Sequence, residues 1–394
     1  MGSKHASKTK YIRRRIGKVN TPLNEKLIHV EWGECKLGDL FEIKGNSQLN
    51  KDSFVFREKG EYPYFTRTEF NNGILGYVDY LDDEHKMAGG CLAVGMIAMK
   101  FFYMQKDFYA GQFTKRAIPK SFSLSQRVAS YFISLLNKNQ KIFQNVLVGS
   151  FESVFNNTKI KLPIKNNEID FEFMESFVAE LEAERIKKLD DYLVANGFKN
   201  YILTDEEKQA LEGFKNIKWG EFKIGDLFER INTKKLPFKA KDLPNEVKEN
   251  FTLPALTSSF NNQGLNYYVP REGSTILKDV ISIPSNSDVY RAYFQSNEFT
   301  VLSDAYAIRW ILDGVNLLPK QYLFAVQCIN KVTDLSIYSY KNKLGGWNVV
   351  KNKFIQLPEK DNQPNYELME TLISAIQKLV IKDVVLYVNN KKNG

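Results

Sequence analysis

Near the C-terminus, apolar residues recur in steps of three and four, at Tyr366, Met369, Ile373, Ile376, Val380, Val384 and Tyr387. That spacing predicts an amphipathic helix with one coiled-coil-like stripe. The same stripe occurs 195 residues earlier, at Phe171, Met174, Val178, Leu181, Arg185, Leu189 and Tyr192, and only Arg185 interrupts it. A helix of ~25 residues is ~37 Å long. Neither helix has a partner of its own, so the two are expected to bury their stripes against each other as a long antiparallel pair. Upstream of each helix the pattern changes to short β-branched and aromatic runs bounded by Gly, Pro and Asn: Gly76–Tyr80, Cys91–Met99, Asn266–Val269 and Val280–Ile283. These read as strands.

The helices end two copies of one longer unit. Residues 32–42, WGECKLGDLFE, match residues 219–229, WGEFKIGDLFE, at nine of eleven positions. Farther on, Pro63 and Thr66 lead to Phe70-Asn71-Asn72-Gly73, as Pro254 and Thr257 lead to Phe260-Asn261-Asn262-Gln263-Gly264. Leu136-Asn137-Lys138 then matches Ile329-Asn330-Lys331, and Leu162-Pro163 matches Leu357-Pro358. A repeat of this kind marks duplicated structure. The frames agree, whereas residues 100–125 and 285–306 scarcely align, as expected when two copies of a scaffold read different things.

The predicted architecture is α+β, with two tandem β-rich globules joined by the two long helices in a pseudo-two-fold internal repeat. Its expected segments are a basic arm (1–30), a first globule (31–164), a first spacer helix (165–196), a connector (197–217), a second globule (218–359), and a second spacer helix with its tail (360–394). In the connector, Thr204 with Glu207 three residues later forms a capping-box pattern. Trp32, Trp219, Phe41 and Phe228 are expected in the cores, and Asp39 and Asp226 are expected to cap a short local helix.

Charge changes this picture only locally. The 394-residue chain carries a formal net charge of +9, but residues 1–30 hold eight Lys/Arg against Glu25 alone, so the body is almost neutral. Arg13, Arg14 and Arg15 could touch phosphates, although a solvated arm is the simpler reading. The longest apolar run, Gly89–Met99, is too short for a bilayer span, and no apolar stretch follows the basic start; a cytoplasmic protein is expected. Three scattered cysteines argue against a disulfide framework, and three isolated histidines against a metal site or a Ser-His-Asp device. There is no Pro-Pro dipeptide, no G-x-G-x-x-G frame and no P-loop, so no methyltransferase or nucleotide-hydrolysing motif is visible. Glu246-Val247-Lys248 after Asp242 has only a faint nuclease flavour. The chain reads as a non-catalytic binding protein.

Two copies of WGExKxGDLFE in register, each ending in Leu-Pro and a long helix, resemble the DNA-specificity subunit of type I restriction–modification systems and its type IIB relatives. The resemblance spans roughly 30–391. It implies that each globule reads one half of a bipartite asymmetric site on double-stranded DNA while the helices act as a ruler, since half-sites on one DNA face lie ~34–36 Å apart. It also implies DNA adenine methyltransferase subunits as partners, docked on the helices and supplying S-adenosylmethionine and N6-adenine chemistry, together with a motor–nuclease restriction subunit. No cofactor is expected in this chain.

Base edges are read by Arg and Lys at guanine, Asn and Gln at adenine, and hydroxyls at either. In the first copy those types cluster at Thr66, Arg67, Thr68, Asn71 and Asn72, then at Lys100, Gln105, Lys106, Gln112, Thr114, Lys115 and Arg116. The second copy offers Thr257, Ser258, Ser259, Asn261, Asn262, Ser285, Asn286, Arg291, Tyr293 and Gln295, with Lys341, Lys343 and Trp347 as a late basic–aromatic loop. The shared asparagines are better explained as a structural turn, and the non-shared Arg67, Lys100, Gln105, Arg116, Asn286 and Arg291 are the better specificity candidates. The competing reading is a duplicated protein-interaction scaffold that does not bind DNA.

Overall fold

The computed structural model describes residues 22–393 except 147, 260, 286–289, 304, 336, 338, 339 and 343. The chain divides into two compact units, the first ending at Leu189 and the second beginning at Asp190.

The first unit opens with a short helix α1 (Pro22–His29), strand β1 (Glu31–Lys36), a single helical turn α2 (Leu37–Leu40) and β2 (Phe41–Gly45). There follow β3 (Phe56–Arg57), β4 (Tyr62–Phe65), β5 (Ile74–Val78), β6 (Cys91–Gly95), β7 (Lys100–Met104), β8 (Tyr109–Ala110) and β9 (Thr114–Pro119). Helices α3 (Gln126–Lys138), α4 (Gln140–Gln144) and α5 (Phe151–Asn157) lead to β10 (Lys159–Lys165), β11 (Glu168–Ile169) and the long helix α6 (Phe171–Ala195). The strands form three sheets, ordered β1-β10-β11, β2-β9-β6-β7 and β3-β5-β4-β8.

Period-two alternation explains the position of β6. Leu92 and Val94 face one core with Phe101, Phe132 and Phe155, while Cys91 and Ala93 face another with Phe65, Met104 and Phe108. A strand covered on both faces needs an uninterrupted apolar run, and Cys-Leu-Ala-Val supplies it. Helix α3 starts where the Ser125 hydroxyl accepts the Val128 amide, and it buries Val128, Ala129, Phe132 and Leu136 against the first of these cores.

The second unit repeats the plan. Helix α7 (Asp205–Glu212) precedes β12 (Trp219–Lys223), α8 (Ile224–Leu227), β13 (Phe228–Arg230), β14 (Phe251–Leu256), β15 (Leu265–Pro270), β16 (Val280–Pro284), β17 (Tyr293–Gln295), β18 (Thr300–Val301) and β19 (Ala305–Trp310). Helix α9 (Pro319–Thr333), the short α10 (Trp347–Val350), β20 (Phe354–Lys360), β21 (Gln363–Pro364) and helix α11 (Tyr366–Asn393) complete it. Its sheets run β12-β20-β21, β13-β19-β16-β17 and β15-β14-β18, matching the first unit sheet for sheet except for β3. The predicted capping box is present, with the Thr204 hydroxyl accepting the Glu207 amide and the Glu207 carboxylate accepting the Thr204 amide.

The repeated sequence signatures are hydrogen-bonded partners. Trp32 and Gly33 lie opposite Pro163 and Leu162, as Trp219 and Gly220 lie opposite Pro358 and Leu357. Each globule is therefore closed by pairing its first strand with the long strand that precedes its terminal helix, which is why both ends of the repeat match so closely. The divergent stretches are also equivalent: parallel pairs Tyr64–Tyr109 and Ala255–Thr300 occupy the same place 191 residues apart. The Asn137 side chain accepts the Phe101 amide, as the Asn330 side chain accepts that of Ala292. Side-chain divergence hid a conserved backbone there.

Several expectations need correction. Phe41 and Phe228 are fully buried, but Trp32 is half-exposed, with its indole N–H on the Leu27 carbonyl, and Trp219 is 36 % exposed. Asp39 and Asp226 lie inside the first turns of α2 and α8 rather than at their caps, which are Lys36 and Lys223. In the predicted helix-pairing stripes, Met174 and Val178 pack into the first globule's own core, with Phe171 against it, and Met369 packs into the second's, with Tyr366 and Ile373 against it. Leu181 and Leu189 are half-buried and Tyr192 is exposed.

Along α11 the buried side then runs through Leu372, Ala375, Val385 and Val388, while Ile376, Val380 and Tyr387 are exposed and Val384 is half-buried. The reason is local. Helix α7 lies along α11, where Lys378 bonds Glu207 at 2.8 Å, and this covers the side that the heptad reading assigned to solvent. At the far end of α11, Asp190 is bridged by both Lys199 and Lys392.

Candidate nucleic-acid interface

In the first unit, the turn between β4 and β5 is held by its own polar groups. The Thr66 amide donates to the Gly73 carbonyl at 2.7 Å, the Thr68 hydroxyl accepts the Phe70 amide, and the Gly73 amide donates to the Phe70 carbonyl. Asn71 and Asn72 adopt left-handed conformations, with φ of 47° and 54°, which Asn tolerates best among residues with a Cβ. The Asn71 amide closes the turn on the Ile74 carbonyl at 3.1 Å. Gly73 has φ 79°, and a Cβ there would lie 2.2 Å from the Phe65 ring. The second unit builds the same turn: the Thr257 amide donates to the Gly264 carbonyl, the Ser259 hydroxyl accepts the Asn261 amide, and the Asn262 side chain donates to the Leu265 carbonyl. The shared hydroxyl and amide residues thus frame the turn.

What the frame presents outward differs between the copies. In the first, Arg67, Glu69, Phe70 and Asn72 are exposed, Phe70 by 83 %. The Arg67 guanidinium lies 5.5 Å from the centre of the Phe113 ring, and Lys100 pairs with Glu69 at 3.3 Å. An open groove of about 500 Å³ runs beside the turn, lined by Thr66, Arg67 and Thr68, by Asn50 and Lys51, and by Ile97 and Gln112. Gln112 donates to the Asn50 side chain at 2.9 Å. Thr66, Arg67, Thr68, Asn71, Asn72, Lys100 and Gln112 are therefore brought together.

Other candidates from the first copy stand elsewhere. Gln105 and Lys106 follow Met104, which pairs with Cys91 at the opposite end of the β6–β7 hairpin from Lys100 and Gly95. Four residues of strand put them roughly 14 Å away. Thr114 is fully buried, donates to the Gly111 carbonyl at 2.8 Å and accepts from Asn46, so it cannot meet a base. Lys115 faces Glu152 at 3.9 Å. Arg116 is half-buried on β9 with its Nε enclosed, near Cys91, whose thiol burial pushes up to about 11.

In the second copy, Gln295 is buried and bonds the Ser282 hydroxyl at 3.0 Å, so it supports the sheet and is not free to read DNA. Thr257 is likewise buried, and Ser258 and Ser259 are half-buried. Asn261 and Asn262 are exposed beside them. Arg291 is held by two contacts to Asp334, at 2.7 and 2.6 Å, and this pairing holds its guanidinium above its ordinary range. Tyr293 is half-buried, and the Ser285 carbonyl accepts the Tyr290 hydroxyl. Lys341 is exposed, while Trp347 packs edge-on against Tyr306. Asn286, Ser287, Lys343 and the arginines of the N-terminal arm lie outside the described residues.

Residue-by-residue reading missed Phe70, Ile97, Phe113, Asn50 and Lys51. Their signal is tertiary: apolar side chains are exposed by the turns that hold them, and the groove wall comes from a segment fifteen residues upstream. Among the described residues no His, Cys, Asp and Glu group is arranged to hold a metal, and no helix is long and apolar enough to cross a membrane.

Comparison with known proteins places this geometry. Residues 29–191 match the family model described as the type I restriction modification DNA specificity domain. The type II restriction enzyme specificity subunit S.BcgI of Heyndrickxia coagulans is 22 % identical over 361 residues, covering 89 % of this chain and 96 % of that protein. The crystal structure of a type I restriction–modification S subunit from M. genitalium shares the fold with a TM-score of 0.55 at 13 % identity, over 92 % of both chains. Residues 29–191 thus match the type I restriction modification DNA specificity domain, and the chain as a whole is similar to a specificity subunit of a restriction enzyme.

Proposed function

We propose that this chain reads a bipartite, asymmetric site on double-stranded DNA, one half-site per globule, and directs DNA adenine methyltransferase subunits to it. A motor–nuclease restriction subunit completes the proposed complex. The carrying observation is the pair of turns at Thr66–Gly73 and Thr257–Gly264. Their hydroxyl and amide groups are consumed in identical internal frames, while the side chains presented outward differ. Two readers with one frame and different faces suit an asymmetric split site.

The chemistry falls to the partners in this reading: S-adenosylmethionine and the N6-adenine transfer belong to the methyltransferase, and the present chain supplies address only. The methyltransferase docks on the long helices, where Ile376, Leu379, Val380 and Tyr387 leave an apolar face in solvent. Arg67, Lys100 and Gln112 are the proposed contacts to the first half-site. Ser258 and Asn261, joined by Lys341, are those to the second.

A genome-wide map of modified adenines, with and without the gene, tests the proposal. The expected result is a split motif with a fixed unread gap that disappears on deletion. An unchanged map in cells that express the chain would support the duplicated protein-interaction scaffold instead.

A further inference from the structure

We infer that the segment Lys234–Lys241 of the second unit is a phosphate-binding ridge that grips the DNA backbone, a device the first unit lacks. The inference rests on the DNA-reading function proposed above.

The sequence here is Lys-Lys-Leu-Pro-Phe-Lys-Ala-Lys, four positive charges in eight residues with no acid among them. In a chain whose body is nearly neutral, that concentration stands out. Lys234, Lys235, Lys239 and Lys241 are all exposed and form no ion pair with any described residue. Elsewhere exposed lysines do take acids, as Lys159 takes Glu34 and Lys218 takes Glu359.

The ridge is anchored from beneath. Leu236, Phe238 and Ala240 alternate with the lysines and pack against the core of Leu243, Leu253, Ala255, Val269 and Leu302. The Phe238 ring meets Phe251 edge-on at 5.9 Å. At one end the Lys234 amide donates to the Thr275 hydroxyl at 2.9 Å; at the other the Leu243 amide donates to the Ala240 carbonyl at 3.2 Å. With apolar side chains turned in, Lys235, Lys239 and Lys241 are turned out. A row of exposed ammonium groups on an anchored segment suits the phosphates of a DNA strand.

The internal repeat locates the ridge. Its last turn, Ala240–Asp242, has its counterpart in Lys51–Ser53, where the Phe54 amide likewise donates to the Lys51 carbonyl at 3.1 Å. In the first unit Asn50 and Lys51 form the groove wall beside Arg67. In the second unit, the Pro244 carbonyl just past the ridge accepts the Tyr268 amide from β15, the strand leaving the Thr257–Gly264 turn. The ridge therefore packs beside the β14–β15 hairpin that carries that turn, where four lysines stand in place of one.

The test uses the complete complex with its methyltransferase subunits and the triple variant K235Q/K239Q/K241Q, whose changes are exposed and remove the charge while keeping a polar side chain. Binding to the recognised duplex and to a scrambled duplex is measured between about 50 and 200 mM salt. Losing three phosphate contacts should lower the slope of log affinity against log salt by about 2.7, so the variant's affinity changes about 40-fold less over that range. Both duplexes should weaken equally at low salt, the methylated motif should stay the same, and K235R/K239R/K241R should restore the slope. An unchanged slope overturns the inference, as does a changed motif. Loss of methyltransferase from the variant complex overturns it too, by assigning the ridge to an acidic protein surface. If the wild-type complex fails to distinguish the two duplexes, the DNA-reading proposal itself fails; if it distinguishes them and the variant behaves identically, only the ridge does.

Discussion

Asn71 and Asn262 do the same job: each donates its side-chain amide to the carbonyl three residues on, that of Ile74 in one unit and Leu265 in the other. Aligning the two Phe-Asn-Asn triplets pairs Asn71 with Asn261 instead. The inserted Gln263 shifts the role by one residue, with Asn262 and Gln263 taking the left-handed conformations that Asn71 and Asn72 take in the first unit. The turn conserves its hydrogen bond and its backbone, and lets the residue numbering slide.

Replacing Asn71 or Asn262 by Ala should therefore destabilise a unit without altering what is recognised. A lost side-chain hydrogen bond and an alanine forced to positive φ together cost about 1–3 kcal/mol. Thermal unfolding should show a lowered midpoint while the methylated motif is unchanged. A changed motif at normal stability would make these asparagines readers.

Arg67→Ala should relax one position in one half-site, because a bidentate arginine–guanine contact discriminates by about 1–3 kcal/mol. Methylome sequencing should show that single position degenerate and the other half-site intact. Arg291→Ala is expected to behave differently. Its guanidinium is already committed to Asp334, so the variant should lose stability and keep its motif.

Thr114→Val should cost about 1–3 kcal/mol, since it strands the buried Asn46 side-chain amide that now donates to the Thr114 hydroxyl at 2.9 Å. Chemical denaturation followed by aromatic fluorescence would measure it. A neutral effect would mean that Asn46 finds another partner.

Val380→Glu should leave the fold untouched, because Val380 is 73 % exposed on α11. It should nevertheless reduce co-purification of the methyltransferase subunit by placing a charge in an apolar contact. Unaltered assembly would move the docking site off this helix face.

Asp190 titration should loosen the end of α11 in acid. Hydrogen bonds from Lys199 and Lys392 hold its carboxyl below the usual carboxylate range. A lowered pKa in the folded state gives a stabilising contribution present at neutral pH and lost as pH falls through that lowered value. Hydrogen exchange at Val385–Asn389 should accelerate more steeply below about pH 4 in the wild type than in Asp190→Asn.

The fold was largely legible because duplication repeats its most constrained parts. Trp-Gly and Leu-Pro recur together because they are paired strands, and the Ser125 and Thr204 caps are local chemistry. The site was legible in its frame and much less in its face. Thr114, Thr257 and Gln295 have the chemistry of readers, yet burial commits them to internal bonds. Phe70 and Phe113 look like core residues, yet their turns hold them in water. Residue type carries no sign of which side of a strand or turn faces solvent once the loop lengths drift.

The sequence by itself determined that the chain is one design used twice and that long amphipathic helices follow. Those features rest on periodicity and local hydrogen bonding, which act within a few residues or between repeated segments. Only the tertiary structure decided which face of α11 is covered, which polar side chains are spent inside, and that Lys234–Lys241 packs beside the β14–β15 hairpin. Each of these depends on contacts between segments far apart in the chain. A helix stripe packs against the nearest apolar surface offered to it, and that surface exists only once the globule beside it has folded.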